Sequence, residues 1–142
     1  MGYQLQQLSS NLYFVRWLSL ATDQEALDYI RELQQIMDTA TNKVYFISDL
    51  RRGHIANVTM VQRLSRLTQH PNFGGGASFS VSTGAKVFVG VFARFARRYN
   101  RRDDIHNNLE GALKFLEDLQ PGITKGIDWK AVVDPAPSTT GV

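Results

Sequence analysis

Residues 43–49 read KVYFISD, a short run of apolar and β-branched side chains closed by an acid. A run this apolar on both faces belongs in the middle of a sheet with cover on each side, not at a solvated edge. The segments around it have helical period. Upstream, Ala26, Tyr29, Ile30, Leu33, Ile36, Met37 and Ala40 share one helix face, and Thr22 with Glu25 has the spacing of a capping box. Downstream, a helix over about 57–69 turns Met60, Val61, Leu64 and Leu67 inward and Arg63 and Arg66 outward. It stops at HPN, where Pro71 disfavours helical geometry in His70.

The remaining segments extend this alternation. YQLQQL (3–8) and NLYFVRWLSL (11–20) flank a short Ser9-Ser10-Asn11 turn and predict an antiparallel hairpin at one edge of the sheet. FGGGAS reads as a mobile loop that leads into a strand at about 77–81, and a helix follows over about 85–99. Asn107 and Glu110 repeat the capping-box spacing before a last helix with Leu109, Ala112, Leu113, Leu116 and Leu119 inside, ended by Pro121-Gly122. The order predicts an α/β fold, a small mixed β-sheet of four to five strands with an N-terminal antiparallel hairpin, covered by about four helices with right-handed crossovers. Residues 1–133 fit a single domain, and the proline-broken 134–142 are expected to be a disordered tail.

Charge is segregated along the chain. The net charge of +3 comes from 16 basic and 13 acidic residues, yet residues 51–102 hold ten of the basic ones and no acid. The rest carries the other six basic and all thirteen acidic residues, a balance of minus seven. Such a segment draws anions whatever the net charge. Its densest part is VFVGVFARFARRYNRRDD, residues 87–104. There Phe88, Phe92, Phe95 and Tyr99 line one helix face, with Lys86, Arg94, Arg97, Arg98 and Arg101 on the other. The aromatic stripe reads as the core face, so it is not free to enter a bilayer. The arginine face is either an anion-gripping surface or a solvated one. Nucleic acid is disfavoured, because no exposed aromatic platform or reader motif is evident.

A leading hairpin ending in an aromatic strand with Trp17, a Thr22-capped helix, a strand ending in SDLRRG, HPN after the next helix, and a closing NNLEGALKFL stand in that order over residues 3–120. This order resembles the SpoIIAA-like (STAS_2) group, within the wider STAS and SEC14-like fold. The resemblance implies a non-catalytic binding or regulatory module. In anti-sigma-factor antagonists of that fold, a partner kinase phosphorylates a serine in an Asp-Ser pair at a helix start. Aligned on Asp49-Leu50, that pair falls on Asn57 and Val58. Val58 has no hydroxyl, and Thr59 lies about 100° further around the helix, so no phosphoswitch is assigned. The SEC14-like relatives imply a second reading, a lipid or membrane-surface binding protein.

SDLRRGH, residues 48–54, should lie beyond the carboxyl end of the central strand, where open α/β sheets bind ligands. One reading is a small anion site built from Asp49, Arg51, Arg52 and N–H groups near Asn57, with Thr59 close by. The other has Asp49 capping a loop and the arginines in water. His54, His70 and His106 have no zinc-like spacing, and cysteine is absent, so no metal or thiol chemistry is expected. No nucleophile elbow, Walker A loop or dinucleotide fingerprint is present. The expectation is a protein that is not an enzyme and has no cofactor. It would engage a protein partner or anionic ligand, an anionic lipid headgroup among them, through the 49–59 loop and the basic face of Arg94, Arg97, Arg98 and Arg101. A homodimer through a strand edge is a further option. The opening MGYQLQQLSS has neither a signal-peptide nor a myristoylation pattern, because Gln6 stands where Ser or Thr is needed, and a cytoplasmic location is expected.

Overall fold

The computed structural model describes residues 2–96 and 103–134. In chain order the elements are β1 (Tyr3–Ser9), β2 (Leu12–Trp17), α1 (Asp23–Thr39), β3 (Val44–Asp49), α2 (Val58–Arg66), β4 (Phe73–Phe79), α3 (Thr83–Ala96), β5 (Asp103–His106), α4 (Leu109–Leu119) and α5 (Trp129–Val133). The five strands form one sheet in the order β1-β2-β3-β4-β5. β1 and β2 form the expected antiparallel edge hairpin, and β2 to β5 run parallel.

Because strand order follows chain order, every crossover from β2 onward steps the same way across the sheet. Crossovers of one hand then place α1, α2 and α3 on a single face. There Ala26, Leu33 and Met37 of α1, Val61 and Leu64 of α2, and Ala85 and Val89 of α3 meet Val15, Trp17, Val44 and Phe46 of the sheet. The opposite face, Leu12, Phe14, Ile47, Ala77 and Phe79, is covered by Ala112 and Leu116 of α4 and by Ile123 and Val133 near α5. KVYFISD is thus the central strand with cover on both sides, as its composition requires.

Local chemistry sets the boundaries. Thr22 caps α1 with a complete capping box: Glu25 N–H donates to Thr22 Oγ1 at 3.1 Å and Thr22 N–H donates to Glu25 Oε1 at 2.9 Å. At α4 the cap is Asn108, not Asn107; its side chain accepts the Gly111 N–H at 2.9 Å. Glu110 therefore lies in the first turn, where it complements the helix dipole. α3 starts at Thr83, and the stretch expected to carry it to 99 lies outside the described residues. α5 was not legible, since five residues hold too few turns for a periodic signal.

The glycine run needs the largest correction. FGGGAS is not a mobile loop but the first part of β4, which begins at Phe73 and pairs with β3. The register slips at this point, Val44 facing Phe73 and Tyr45 facing Gly75, so Gly74 is the extra residue of a bulge. A Cβ on Gly74 would lie 2.5 Å from Cζ of Tyr45. Glycine here lets an aromatic ring lie flat on the backbone.

Gly53 provides a second close approach, between the loops after β2 and β3. A Cβ there would lie 2.0 Å from the Ser19 carbonyl oxygen, and next to it Ala21 N–H donates to the His54 carbonyl at 3.0 Å. Gly53→Ala must separate two backbones and is expected to lower unfolding free energy by about 1–3 kcal/mol. Gly90, within α3, has nothing within 4 Å of its virtual Cβ, so Gly90→Ala is expected to stabilise by up to about 1 kcal/mol. Urea unfolding of the two variants checks both signs.

Candidate functional site

The parallel strands bring their carboxyl ends to one edge, and the candidate residues of the 49–59 loop gather there. They do not act as one group. Asp49 faces the α4–α5 side of the sheet, only 3% exposed. Its Oδ1 accepts both the Arg51 N–H and Arg51 Nε at 3.0 Å, and its Oδ2 accepts Arg51 Nη2 at 2.8 Å. Arg16, two residues along β2 from Phe14 on the same face, comes within 3.9 Å of Asp49 Oδ2. The hydrogen bonds and charge of Asp49 hold the Arg51 guanidinium above its ordinary range despite partial burial.

Both arginines reach on to the end of α5. Arg16 donates to the Val132 and Val133 carbonyls, and Arg51 donates to the Val133 carbonyl at 3.3 Å and to Asp134 at 3.2 Å. These carbonyls are among the ones a helix C-terminus leaves without intrahelical partners. The guanidiniums also lie over Phe14 and Phe79, 5.1 and 5.4 Å from the ring centroids. Asp49, Arg51 and Arg16 therefore form a clasp that holds the C-terminal segment to the sheet. Asp49 does cap its loop, but Arg51, although its side chain keeps 40% exposure, is bound to protein.

The other loop residues point elsewhere. Asn57 is the N-cap of α2, accepting the N–H groups of Thr59 at 2.9 Å and Met60 at 3.3 Å while donating to Asp23 at 3.0 Å. It takes up N–H groups that an anion at this helix start would need. Arg52, Thr59 and Arg94 are exposed. Arg97, Arg98 and Arg101 lie outside the described residues. Phe88, Phe92 and Phe95 pack against the core, as the aromatic stripe predicted. The histidines are dispersed: His54 stacks on Phe88, His70 pairs with Asp38, and His106 packs on Phe115. Among the described residues no three or more acidic, histidine or cysteine side chains converge as metal ligands, and no helix is long and apolar enough to cross a membrane.

Two features escaped the sequence. The first is an apolar rim at the carboxyl edge. Strand β2 ends at Trp17 instead of running to 20, which leaves Leu18 and Leu20 in a surface loop. Leu20 is 61% exposed, Val58 at the start of α2 58%, Val81 just after β4 76%, and Val87 in the second turn of α3 62%. Each lies in a segment that reads as strand or core by composition alone, so exposure could not be inferred. The second is a cavity of about 80 Å³ between β3–β4 and helices α1–α3. Gly76, Ser48 and Ser78 line it from the sheet, and Phe88 and Phe92 from α3.

The loop leading to α5 is fastened by Glu117. Its carboxylate accepts the Thr124 hydroxyl at 2.6 Å and the N–H groups of Gly122 at 2.7 Å and Thr124 at 2.8 Å. These bonds, the hydroxyl first, lower its pKa from 4.5 to about 2. A depressed carboxylate pKa contributes stability that is present above 4.5 and lost as pH falls through about 2. Glu117→Gln should therefore be less stable at neutral pH and should show a flatter acid limb across that window in pH-dependent thermal unfolding. Arg51→Met tests the clasp. Amide exchange at Ala131–Asp134 should quicken at least tenfold while β3 amides stay protected, because one end of a short helix loses charge-assisted bonds.

Comparisons with known proteins point to a fold and no further. No family model matches the chain, and no curated protein matches it. Among solved structures, an uncharacterized protein of the DUF3478 family with a SpoIIAA-like fold, from Shewanella loihica PV-4, superposes with a TM-score of 0.57. The identity is 12%, over 81% of this chain and 94% of that one. With the five-stranded sheet, its antiparallel hairpin and the helices on both faces, the chain has a SpoIIAA-like fold.

Proposed function

We propose that this protein is a non-catalytic, STAS-like binding module working in the cytoplasm, and that it docks a protein partner on the carboxyl rim of its sheet. One observation carries the reading. Leu18, Leu20, Val58, Val81 and Val87, the exposed large apolar side chains among the described residues, all follow the carboxyl ends of β2–β4 or lie in the first turns of the helices there. Scattered exposed leucines need no explanation, but a collection at one edge marks an interaction surface. The loops beneath it are bound to one another through Gly53 and Ser19, Ala21 and His54, and Asn57 and Asp23. A partner would meet a prearranged surface and spend little ordering it. The exposed Arg52 and Lys86 add positive charge, which suits a partner whose apolar contact is flanked by carboxylates.

A second reading, an anionic ligand or lipid headgroup on the basic helix face, is favoured by the acid-free segment 51–102 and by the exposure of Arg63, Arg66 and Arg94 on the neighbouring helices α2 and α3. The two readings separate by mutation. Leu20→Ser with Val81→Ser and Arg52→Glu should reduce capture of a native partner at least tenfold with the fold intact, while Arg94→Glu should leave capture unchanged. If instead only Arg94→Glu matters, and the wild type sediments with anionic but not neutral vesicles at low salt, the rim reading fails and the headgroup reading replaces it.

A further inference from the structure

The two edges of the sheet are not alike. β5, at one end of the strand order, is short and begins with two acids, Asp103 and Asp104. A short, charged edge resists pairing with another chain. β1, at the other end, runs over Tyr3–Ser9 with no charged side chain and no proline. Its register with β2 is regular from Tyr3 to Gln7 and slips only between Gln7 and Ser9. One bond shows which backbone groups face outward. Leu18 N–H donates to the Gly2 carbonyl at 2.8 Å, and this pair continues the Tyr3–Trp17 register by one step. Gly2 therefore turns its backbone groups toward β2, as Gln4 and Gln6 do by alternation, while Tyr3, Leu5 and Gln7 turn theirs away. Among the described residues no strand pairs with that side.

We propose that two copies of this chain associate through β1 into a two-fold dimer with one continuous sheet. The outward residues are evenly spaced about Leu5. An antiparallel pairing on a two-fold axis there sets Leu5 opposite Leu5 of the partner subunit, and Tyr3 opposite Gln7 of the partner subunit. Every outward N–H then meets an outward carbonyl on the other strand. The side chains suit the same register. Leu5 is half-buried on the α1 face of the core, and its counterpart covers what remains open. On the other face the exposed Gln4 and Gln6 come to stand opposite one another, without the repulsion that like charges would bring. Each copy has one such edge, so pairing closes at two. The two-fold also sends the carboxyl rims to opposite ends of the joined sheet, and the inference does not depend on what the rim binds. One strand from each side is small against the roughly 20–30 residues a side of a standard interface, so a Kd of about 10–100 µM is expected.

Sedimentation velocity of the full chain from about 1 µM to about 1 mM tests the proposal. The expected result is a monomer–dimer equilibrium with nothing larger. In the wild type, amide exchange at Leu5 and Gln7 should slow severalfold as concentration rises, while Gln4 and Gln6, bonded to β2 in both states, should change little. Gln7→Pro removes an outward N–H from an exposed edge position and spares the β2 ladder, so it should weaken dimerisation at least tenfold with the melting transition at low concentration unchanged. Gln4→Lys/Gln6→Lys and Gln4→Glu/Gln6→Glu should each stay monomeric, and an equimolar mixture of the two should regain the dimer. A wild type that remains monomeric throughout would overturn the proposal. So would species larger than a dimer, a dimer that persists in the lysine variant, a mixture that fails to associate, or dimerisation without slowed exchange at Leu5 and Gln7.

Discussion

The sheet's monotonic strand order is the constraint from which the rest of the structure follows. Four parallel strands laid down in sequence force three successive helices onto one face, and that face acquires a deep core at once. The other face receives nothing from the crossovers. Among the described residues it is closed by α4, the loop after it, and the short helix that the Asp49–Arg16–Arg51 clasp draws back over Phe14 and Phe79. A buried ion pair is often a poor source of stability in itself. Here its value is positional, since it fixes where the short helix α5 lies on the sheet.

The same order explains why the surface features are divided. Loops after β2, β3 and β4 all emerge at one edge, so residues far apart in sequence, Leu20, Val58 and Val81, are brought to the same edge of the sheet. Asp49 and Arg51 emerge at that edge too, but on the opposite side of the sheet. A strand alternates its faces, and Asp49 is one residue beyond Ser48, which faces the cavity. One loop thus serves two structures, a clasp below and a rim above.

Much of this was legible in the sequence, and the parts that were not have physical causes. The central strand, the edge hairpin, the Thr22 capping box and the inward aromatic stripe of α3 each had a local signal that agreed with the final packing. FGGGAS misled because glycine has the same letters in a loop and in a bulged strand. What distinguishes them is the Tyr45 ring lying on Gly74, a contact between distant residues. The arginines at 51 and 52 look equivalent and both are exposed, yet Arg51 is bound to the end of α5, a contact that depends on a helix too short to announce itself. Ser48 and Ser78 likewise stand side by side in the cavity wall only through the β3–β4 register.

The late arrival of the second cover has a consequence for synthesis. All five strands and three large helices precede residue 107, whereas Leu116, Ile123 and Val133, which shield Ile47 and Phe79, follow it. A chain leaving the ribosome in order presents a half-covered sheet, with one apolar face open, until residues 123–134 are free to fold back. During that interval the nascent protein is most exposed to chaperones and to aggregation, and the two arginines wait without the carbonyls they will hold.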